Sequence, residues 1–319
     1  MKPIRLLAIA DPAGPHLQPI RDLAAAADVR IGNSREWLAD EMPEADVILH
    51  GGYNGREFRE LWPLARKARW VHSLQTGVES MLTPEFVASP VPLTNARGVY
   101  AEPLAEFVLA AVLYFAKRIP LMIAQQRERS WRLLDVEMIA GRTMGIVGYG
   151  EIGRAAGRLA KAVGMRVLAV RRRPEPDSIA ERVAGPEELP EVLRTSDYVV
   201  AAAPNAPGTR HLLGKAELAC MKESAVLINV GRGAVIDEAA LIEALREKRI
   251  AGAALDVFEK EPLPPDSPLW AMENVLVSPH SADRTADWLD RAVRRFVDNF
   301  ERFRDGRPLI AVVDKAAGY

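Results

Sequence analysis

The residues of this 319-residue chain best suited to do chemistry stand at the ends of short apolar runs. Thr143-Met-Gly-Ile-Val-Gly-Tyr-Gly-Glu-Ile-Gly153 is an apolar run that feeds Gly148, Gly150 and Gly153, after which a helical pattern begins. Gly-x-Gly-x-x-Gly between a strand and a helix is a dinucleotide-binding fingerprint. Gly148 permits the tight turn. Gly150 lets the backbone approach a pyrophosphate on the helix N-terminus, and Gly153 lets helix and strand pack closely. Tyr149, Glu151 and Ile152 fill the turn and are expected beside the cofactor. After the next strand, an NAD site wants an acid about 20 residues past the fingerprint to hold the ribose hydroxyls. This chain instead has Arg171, Arg172 and Arg173, eighteen to twenty residues past Gly153. Guanidinium groups accept no hydrogen bonds from a ribose, but they clamp a phosphate dianion. The expectation is NADP(H) over NAD(H), with a solvated basic turn as the alternative.

Further along, Asn229-Val-Gly-Arg-Gly233 puts Arg232 in a glycine-flanked turn. Leu255-Asp-Val-Phe-Glu-Lys-Glu261 carries three acids, and Ser278-Pro-His-Ser281 carries His280. In open α/β sheets ligands bind outside the carboxyl ends of strands, so these groups can converge near the cofactor. The set suits hydride transfer to a 2-oxo acid. Arg232 can bind the carboxylate and polarise the ketone with a planar fork of donors. His280 can protonate the ketone oxygen, since an imidazole titrates near neutrality. An acid can hold the ring and favour its charged form; spacing alone leaves Glu259 and Glu261 both open for this. Asp256 can meet the nicotinamide amide or cap its loop. His16, His50, His72 and His211 have no comparable setting and read as structural.

The elements that must position these groups alternate between strand and helix patterns, which argues for mainly parallel sheets covered on both faces. Candidate strands in the first hundred residues are Arg5–Ala10, Val29–Ile31, Val47–His50, Trp70–Ser73 and Val91–Thr94. Helical patterns there include Leu17–Ala27 and Pro84–Ala88. One long helix, Ala101–Arg118, is expected next; it is apolar on most sides and needs cover on more than one. A second series follows with strands Thr143–Val147, Arg166–Val170, Tyr198–Ala203, Val226–Val230, Gly252–Asp256 and Val275–Ser278. It ends in a helix over Thr285–Arg304 that is expected to return to the first domain.

Bulk composition narrows the class. Apolar residues make up 49%, enough for sizeable cores. The net charge of −1 offers no overall attraction to nucleic acid or an acidic membrane. Cys220 is the single cysteine, so no intrachain disulfide can form, and it reads as a small buried hydrophobe. The N-terminal apolar run reads as a strand rather than a signal peptide. The protein is expected to be soluble and cytoplasmic, without a metal, nucleic acid or membrane partner.

The chain resembles the D-isomer-specific 2-hydroxyacid dehydrogenases, especially the glyoxylate/hydroxypyruvate reductase branch. The resemblance rests on Ser73-Leu-Gln-Thr-Gly-Val-Glu79, Leu93-Thr-Asn-Ala-Arg-Gly98, Ala101-Glu-Pro-Leu-Ala-Glu106, the Gly148 fingerprint, Thr209-Arg-His-Leu-Leu213, Ile228–Asp237, Leu255–Leu263 and Ser278–Ser281, in that order. It implies two Rossmann-like α/β domains, each a doubly wound parallel sheet, with the active site in the cleft between them. Residues 1–100 and 284–319 would form a discontinuous, flavodoxin-like substrate domain, and 101–283 the dinucleotide-binding domain. It implies Arg232, Glu261 and His280 as the catalytic set, which favours Glu261 over Glu259. It also implies Asp256 on the nicotinamide carboxamide, and the amides of Gly77 and Val78 on the substrate carboxylate. Pro204, Thr209, Val230 and Gly231 complete the expected cofactor set, together with Arg232 and His280 themselves. A homodimer, a D configuration in the product, and a small 2-oxo or 2-hydroxy acid substrate are implied as well. Three departures stand out. Arg171 occupies a position where many members have Asp, Gln75-Thr76 precedes the Gly77 turn, and Trp288 is placed either to wall the substrate pocket or to pack the returning helix. Two other readings stay open: a dinucleotide-sensing regulator or corepressor-like protein on the same fold, and a formate or phosphite dehydrogenase. The Glu261 partner disfavours the latter.

Overall fold

The computed structural model describes residues 3–52, 55–206 and 208–319. The chain divides into two compact units, Met1–Tyr100 with Thr285–Tyr319, and Ala101–Arg284. The first unit holds a five-stranded sheet of β1 (Ile4–Ile9), β2 (Ala27–Gly32), β3 (Val47–His50), β4 (Trp70–Ser73) and β5 (Leu93–Asn95), in the order β2-β1-β3-β4-β5. The second holds seven strands: β6 (Thr143–Val147), β7 (Arg166–Val170), β8 (Arg182–Ala184), β9 (Tyr198–Ala201), β10 (Val226–Asn229), β11 (Gly252–Leu255) and β12 (Val275–Val277). Their order is β12-β11-β10-β9-β6-β7-β8. Every strand pair in both sheets is parallel. Parallel neighbours need a crossover, and crossovers put helices on the faces, so the strands are apolar on both sides. Accordingly β3, β4, β6, β9, β10 and β11 are buried at every residue.

The second sheet changes direction at β6. The chain runs outward through β7 and β8, then returns to place β9 on the other side of β6. Such a reversal opens a crevice at the carboxyl ends of the strands, where doubly wound folds bind ligands. In the first unit, the helix Trp288–Arg304 buries Ala292, Val293, Phe296 and Phe300 at helical spacing. Its Phe296 ring stacks on Trp70 of β4 with centroids 5.3 Å apart.

Three elements differ from the sequence pattern. The expected helix Leu17–Ala27 is instead a 3-10 turn Pro15–Leu17, an α-turn Gln18–Arg21 and a second 3-10 turn Asp22–Ala25, and Ala27 already begins β2. Pro15 and Pro19 each stand in the first turn of their short segments, where a missing N–H costs nothing, so each marks a new start rather than the interior of one helix. The expected helix Ala101–Arg118 stops at Ala116. Proline clashes with the carbonyl four residues back, and four residues before Pro120 is Ala116. Arg118 turns left-handed (φ 50°), and a new helix, Ile119–Glu128, starts with Pro120 in its first turn. The short edge strand Arg182–Ala184 was not expected. No single helix among the described residues is long and apolar enough to cross a membrane. Ala101–Ala116 and Ile119–Glu128 reach that length only as a pair bent by 60°.

Candidate active site

The glycine turn is built by close backbone contact. Gly148 has φ 96°, and a Cβ there would lie 2.4 Å from the Ala203 nitrogen in the segment leaving β9. A Cβ on Gly153 would lie 2.6 Å from the Gly148 carbonyl oxygen. Gly150 differs: a Cβ there would meet nothing within 4 Å. It caps the helix Glu151–Ala162 without a side-chain hydrogen bond. The turn therefore leaves open space above Gly150 beside uncapped helix N–H groups, a cradle that fits a pyrophosphate. Glu151 is exposed and Ile152 half-buried. Tyr149 is buried, and its hydroxyl meets Asp177 Oδ1 at 3.2 Å.

Arg171, Arg172 and Arg173 follow β7. Arg171 is half-buried and its N–H donates to the Ala184 carbonyl (3.1 Å), while Arg172 and Arg173 are exposed. Beyond β9, the Thr209 hydroxyl donates to the Pro204 carbonyl (2.6 Å) and accepts from the Ala206 N–H (2.8 Å), closing the 204–209 loop. Val230 and Gly231 leave β10 fully buried.

Arg232, Asp256, Glu261 and His280 all belong to the second unit and follow β10, β11 and β12. The Arg232 turn is pinned by Asn229, whose side chain accepts from the Gly231 N–H (3.1 Å) and donates to the Arg232 carbonyl (3.2 Å). The turn rests directly on the loop carrying Glu261, because a Cβ on Gly233 would lie 1.9 Å from the Phe258 carbonyl. Glu261 spans that loop: Oε1 accepts from the Phe258 N–H (3.0 Å) and Oε2 meets His280 Nδ1 (2.7 Å). Burial pushes the Glu261 carboxyl up, but the hydrogen bonds from His280 and Phe258 and the charges of His280 and Arg232 outweigh it, leaving it below the usual range. His280 is raised: the hydrogen bond with Glu261 leads, burial opposes it, the charges of Glu261 and Asp256 add to it, and Arg232 subtracts. With Nδ1 committed to Glu261, Nε2 is the ring atom left to face a substrate.

His280 has φ 51°, a left-handed conformation rare outside glycine. Asp256 accounts for it. Its carbonyl accepts from the His280 N–H (2.9 Å), and its Oδ1 accepts from Ser278 Oγ (2.6 Å), the Ser281 N–H (2.8 Å) and the Ala282 N–H (3.1 Å). Asp256 thus caps the loop that presents the imidazole, the second of its two anticipated roles.

Geometry also separates the two candidate acids. Glu259 contacts His211 Nε2, and its N–H donates to Glu238 Oε2 (3.1 Å). Read from sequence as structural, His211 thus has a carboxylate partner, and it too is left-handed (φ 50°). Its place beside Glu259 has no signal in the chain, since the two stand 48 residues apart. His50 and His72 are buried, and burial holds them neutral, pushing them down to about 4 and about 3. Gly77, Val78 and Trp288 lie in the first unit. Gly77 and Val78 follow β4, before the 3-10 turn Glu79–Met81. Trp288 packs on the ring of Tyr100 (6.2 Å), whose hydroxyl donates to the Leu74 carbonyl (2.6 Å). Among the described residues no cluster of three or more His, Cys, Asp or Glu is arranged to hold a metal.

A family model described as the NAD-binding domain of the D-isomer specific 2-hydroxyacid dehydrogenases matches residues 109–282. A glyoxylate reductase of Korarchaeum cryptofilum is 37% identical over 259 residues, covering 77% of this chain and 76% of that relative. Among solved structures, an NADPH-dependent glyoxylate/hydroxypyruvate reductase from Sinorhizobium meliloti, in complex with NADP and sulfate, superposes with a TM-score of 0.85. It is 28% identical and covers 100% of both chains. A D-isomer specific 2-hydroxyacid dehydrogenase from Xanthobacter autotrophicus, in complex with NADPH and MES, gives a TM-score of 0.83 at 33% identity over 99% of this chain and 100% of that one.

Proposed function

The chain belongs to the D-isomer specific 2-hydroxyacid dehydrogenase family, and on that premise we propose that it is an NADPH-dependent reductase of small 2-oxo acids, of the glyoxylate or hydroxypyruvate type, yielding D-2-hydroxy acids. The observation that carries this reading is the Glu261–His280 pair at 2.7 Å, under the influence of the Arg232 charge. When bound, a reduced nicotinamide supplies the hydride. Arg232 binds the substrate carboxylate and draws electron density onto the carbonyl oxygen. His280 Nε2 gives that oxygen its proton and is left neutral, to be reprotonated from solvent. Glu261 keeps the imidazole charged and oriented until transfer. The backbone of Gly77 and Val78 is assigned to the substrate carboxylate, and Asp256 to the carboxamide of the cofactor as well as to its own loop.

Preference for the phosphorylated cofactor is supported by Arg171–Arg173, and by the NADP and NADPH held in the Sinorhizobium and Xanthobacter structures. The test is a panel of 2-oxo acids assayed with each cofactor. We expect oxidation of NADPH with glyoxylate or hydroxypyruvate and a lower KM for NADPH than for NADH. NADPH bound but oxidised with no member of the panel would favour a dinucleotide-sensing protein instead.

A homodimer is part of the same proposal. The helix Ile119–Glu128 buries none of its residues, and the segment after it leaves Trp131 96% and Leu133 94% exposed. Large apolar side chains so displayed mark an association surface, and a second copy is the occupant the family implies. Light scattering should give twice the chain mass of 35.1 kDa, and a Trp131→Glu, Leu133→Glu double variant should run as the monomer. A monomeric wild type at micromolar concentration would refute this.

A further inference from the structure

The basic segment after β7 is held by a buried carboxylate that the proposed chemistry does not use. Asp177 exposes 4% of its side chain, although it lies on an otherwise exposed loop. Its Oδ1 accepts from the Ile179 N–H (2.6 Å) and from the Tyr149 hydroxyl (3.2 Å), and its Oδ2 pairs with Arg154 Nη1 (2.5 Å). Those partners come from different segments. Tyr149 belongs to the glycine turn, Arg154 to the first turns of the helix Glu151–Ala162, and Ile179 to the far end of the basic loop. Ile179 also packs on that helix, where its Cγ2 would lie 3.2 Å from a Cβ on Gly157. The near end of the loop is held by the Arg171 N–H on the Ala184 carbonyl (3.1 Å). Residues 171–177 therefore form a strap fastened at both ends, with Arg171, Arg172 and Arg173 on the span between.

The electrostatics fit an anchor. The Asp177 carboxyl lies below its ordinary range, held there first by the Ile179 N–H, against burial, with Arg154 and Tyr149 adding. Tyr149 is pushed up to about 12, first by burial and then by the Asp177 charge, so it stays a hydroxyl donor. Arg154 balances the charge of Asp177, so the anchor adds little net repulsion against an incoming phosphate.

We propose that Asp177 is a positioning residue for cofactor selection: by fastening the strap to Tyr149 and Arg154, it holds the guanidinium groups of Arg171–Arg173 where a 2′-phosphate binds. A strap already ordered loses less conformational freedom on binding, and the saving applies to the ligand that uses the strap. The inference rests on the NADP(H) reading above.

Adenosine 2′,5′-bisphosphate and 5′-AMP differ only by the 2′-phosphate, so the ratio of their dissociation constants isolates the strap from general damage. Isothermal titration of the full chain with each, repeated with NADPH and NADH by fluorescence, reads it. Wild type should favour the 2′-phosphorylated ligand. Asp177→Ala should lower that preference about tenfold while AMP binding changes less than about threefold, and Tyr149→Phe should lower it by about threefold, as expected for the loss of preorganisation. Tyr149→Phe keeps the ring and the Asp177–Arg154 pair, so it carries the test if Asp177→Ala does not fold. A preference unchanged in either folded variant, or an equal loss for both ligands, overturns the inference and leaves the cofactor reading intact. A wild type without the preference overturns both.

Discussion

Replacing His280 by Ala is expected to lower kcat for 2-oxo acid reduction about a thousandfold, within the range a positioned proton donor contributes. Steady-state assays with NADPH and glyoxylate check it, and a variant within about tenfold of wild type would mean that the proton comes from another group. The pH profile tests the same residue with a definite sign. His280 is raised above 6.5 by its hydrogen bond with Glu261, against burial, helped by the charges of Glu261 and Asp256 and opposed by Arg232. Asp283, whose carboxyl burial pushes up, also feels the His280 charge. In the proposed reduction the proton donor is the imidazolium. kcat should therefore be full below the raised pKa and fall as pH rises through it. Glu261→Gln keeps an acceptor but removes the negative charge, so this alkaline limb should move to lower pH, toward 6.5. Stability follows the same sign. The contribution of the pair is complete between the unfolded values, 4.5 for Glu261 and 6.5 for His280, and is lost as pH rises through the raised His280 value or falls through the lowered Glu261 value. An alkaline limb that stays in place in Glu261→Gln would detach Glu261 from the proton donor.

The existence of the central strands could be read from the chain, and their ends less well: the fully buried Tyr198–Ala201, Val226–Asn229 and Gly252–Leu255 stop one or two residues short of their expected bounds. Val47–His50, Trp70–Ser73 and Thr143–Val147, buried at every residue, have the bounds their mainly apolar runs suggested, as central parallel strands covered on both faces should; Arg166–Val170 matches as well, although Arg166 is exposed. Arg182–Ala184 could not be read. Three residues carry no period, and the strand exists because β7 offers it a backbone edge. Ile119–Glu128 was hidden for a related reason: it buries nothing, so no apolar stripe marks it. The site divides in the same way. Arg232 and His280 stood out because strand ends in an open sheet are predictable. The choice between Glu259 and Glu261 was not, because the loop that carries them has no period. Their roles follow from who else arrives: the Phe258 N–H folds Glu261 back toward His280, while His211 and Glu238 take Glu259. Asp177 carries no signal in the chain for the same reason, since its value lies in Tyr149 and Arg154, both more than twenty residues earlier.

Arg232→Ala should lower kcat/KM for a 2-oxo acid about a thousandfold and Arg232→Lys about a hundredfold, since an ammonium keeps the charge but loses the planar fork. The loss should be large because the backbone fixes where the guanidinium starts, and its Nη1 is further held by the Gly231 carbonyl (2.8 Å). Gly233 packs against the Phe258 carbonyl so closely that no side chain fits there, and Asn229 ties down the Gly231 N–H and the carbonyl of Arg232 itself. Neither substitution can therefore be relieved by a shift of the turn without also moving the loop that carries Glu261. The two tasks assigned to Arg232 separate in the kinetics. Lost grip on the carboxylate raises KM, whereas lost polarisation of the carbonyl lowers kcat. Comparing a 2-oxo acid with its methyl ester adds a control. Wild type should strongly prefer the free acid, and Arg232→Ala should lose most of that preference, because the ester never had the charge that Arg232 recognises. A variant that still prefers the acid as strongly as wild type would place the carboxylate on another group, leaving Arg232 with the carbonyl alone.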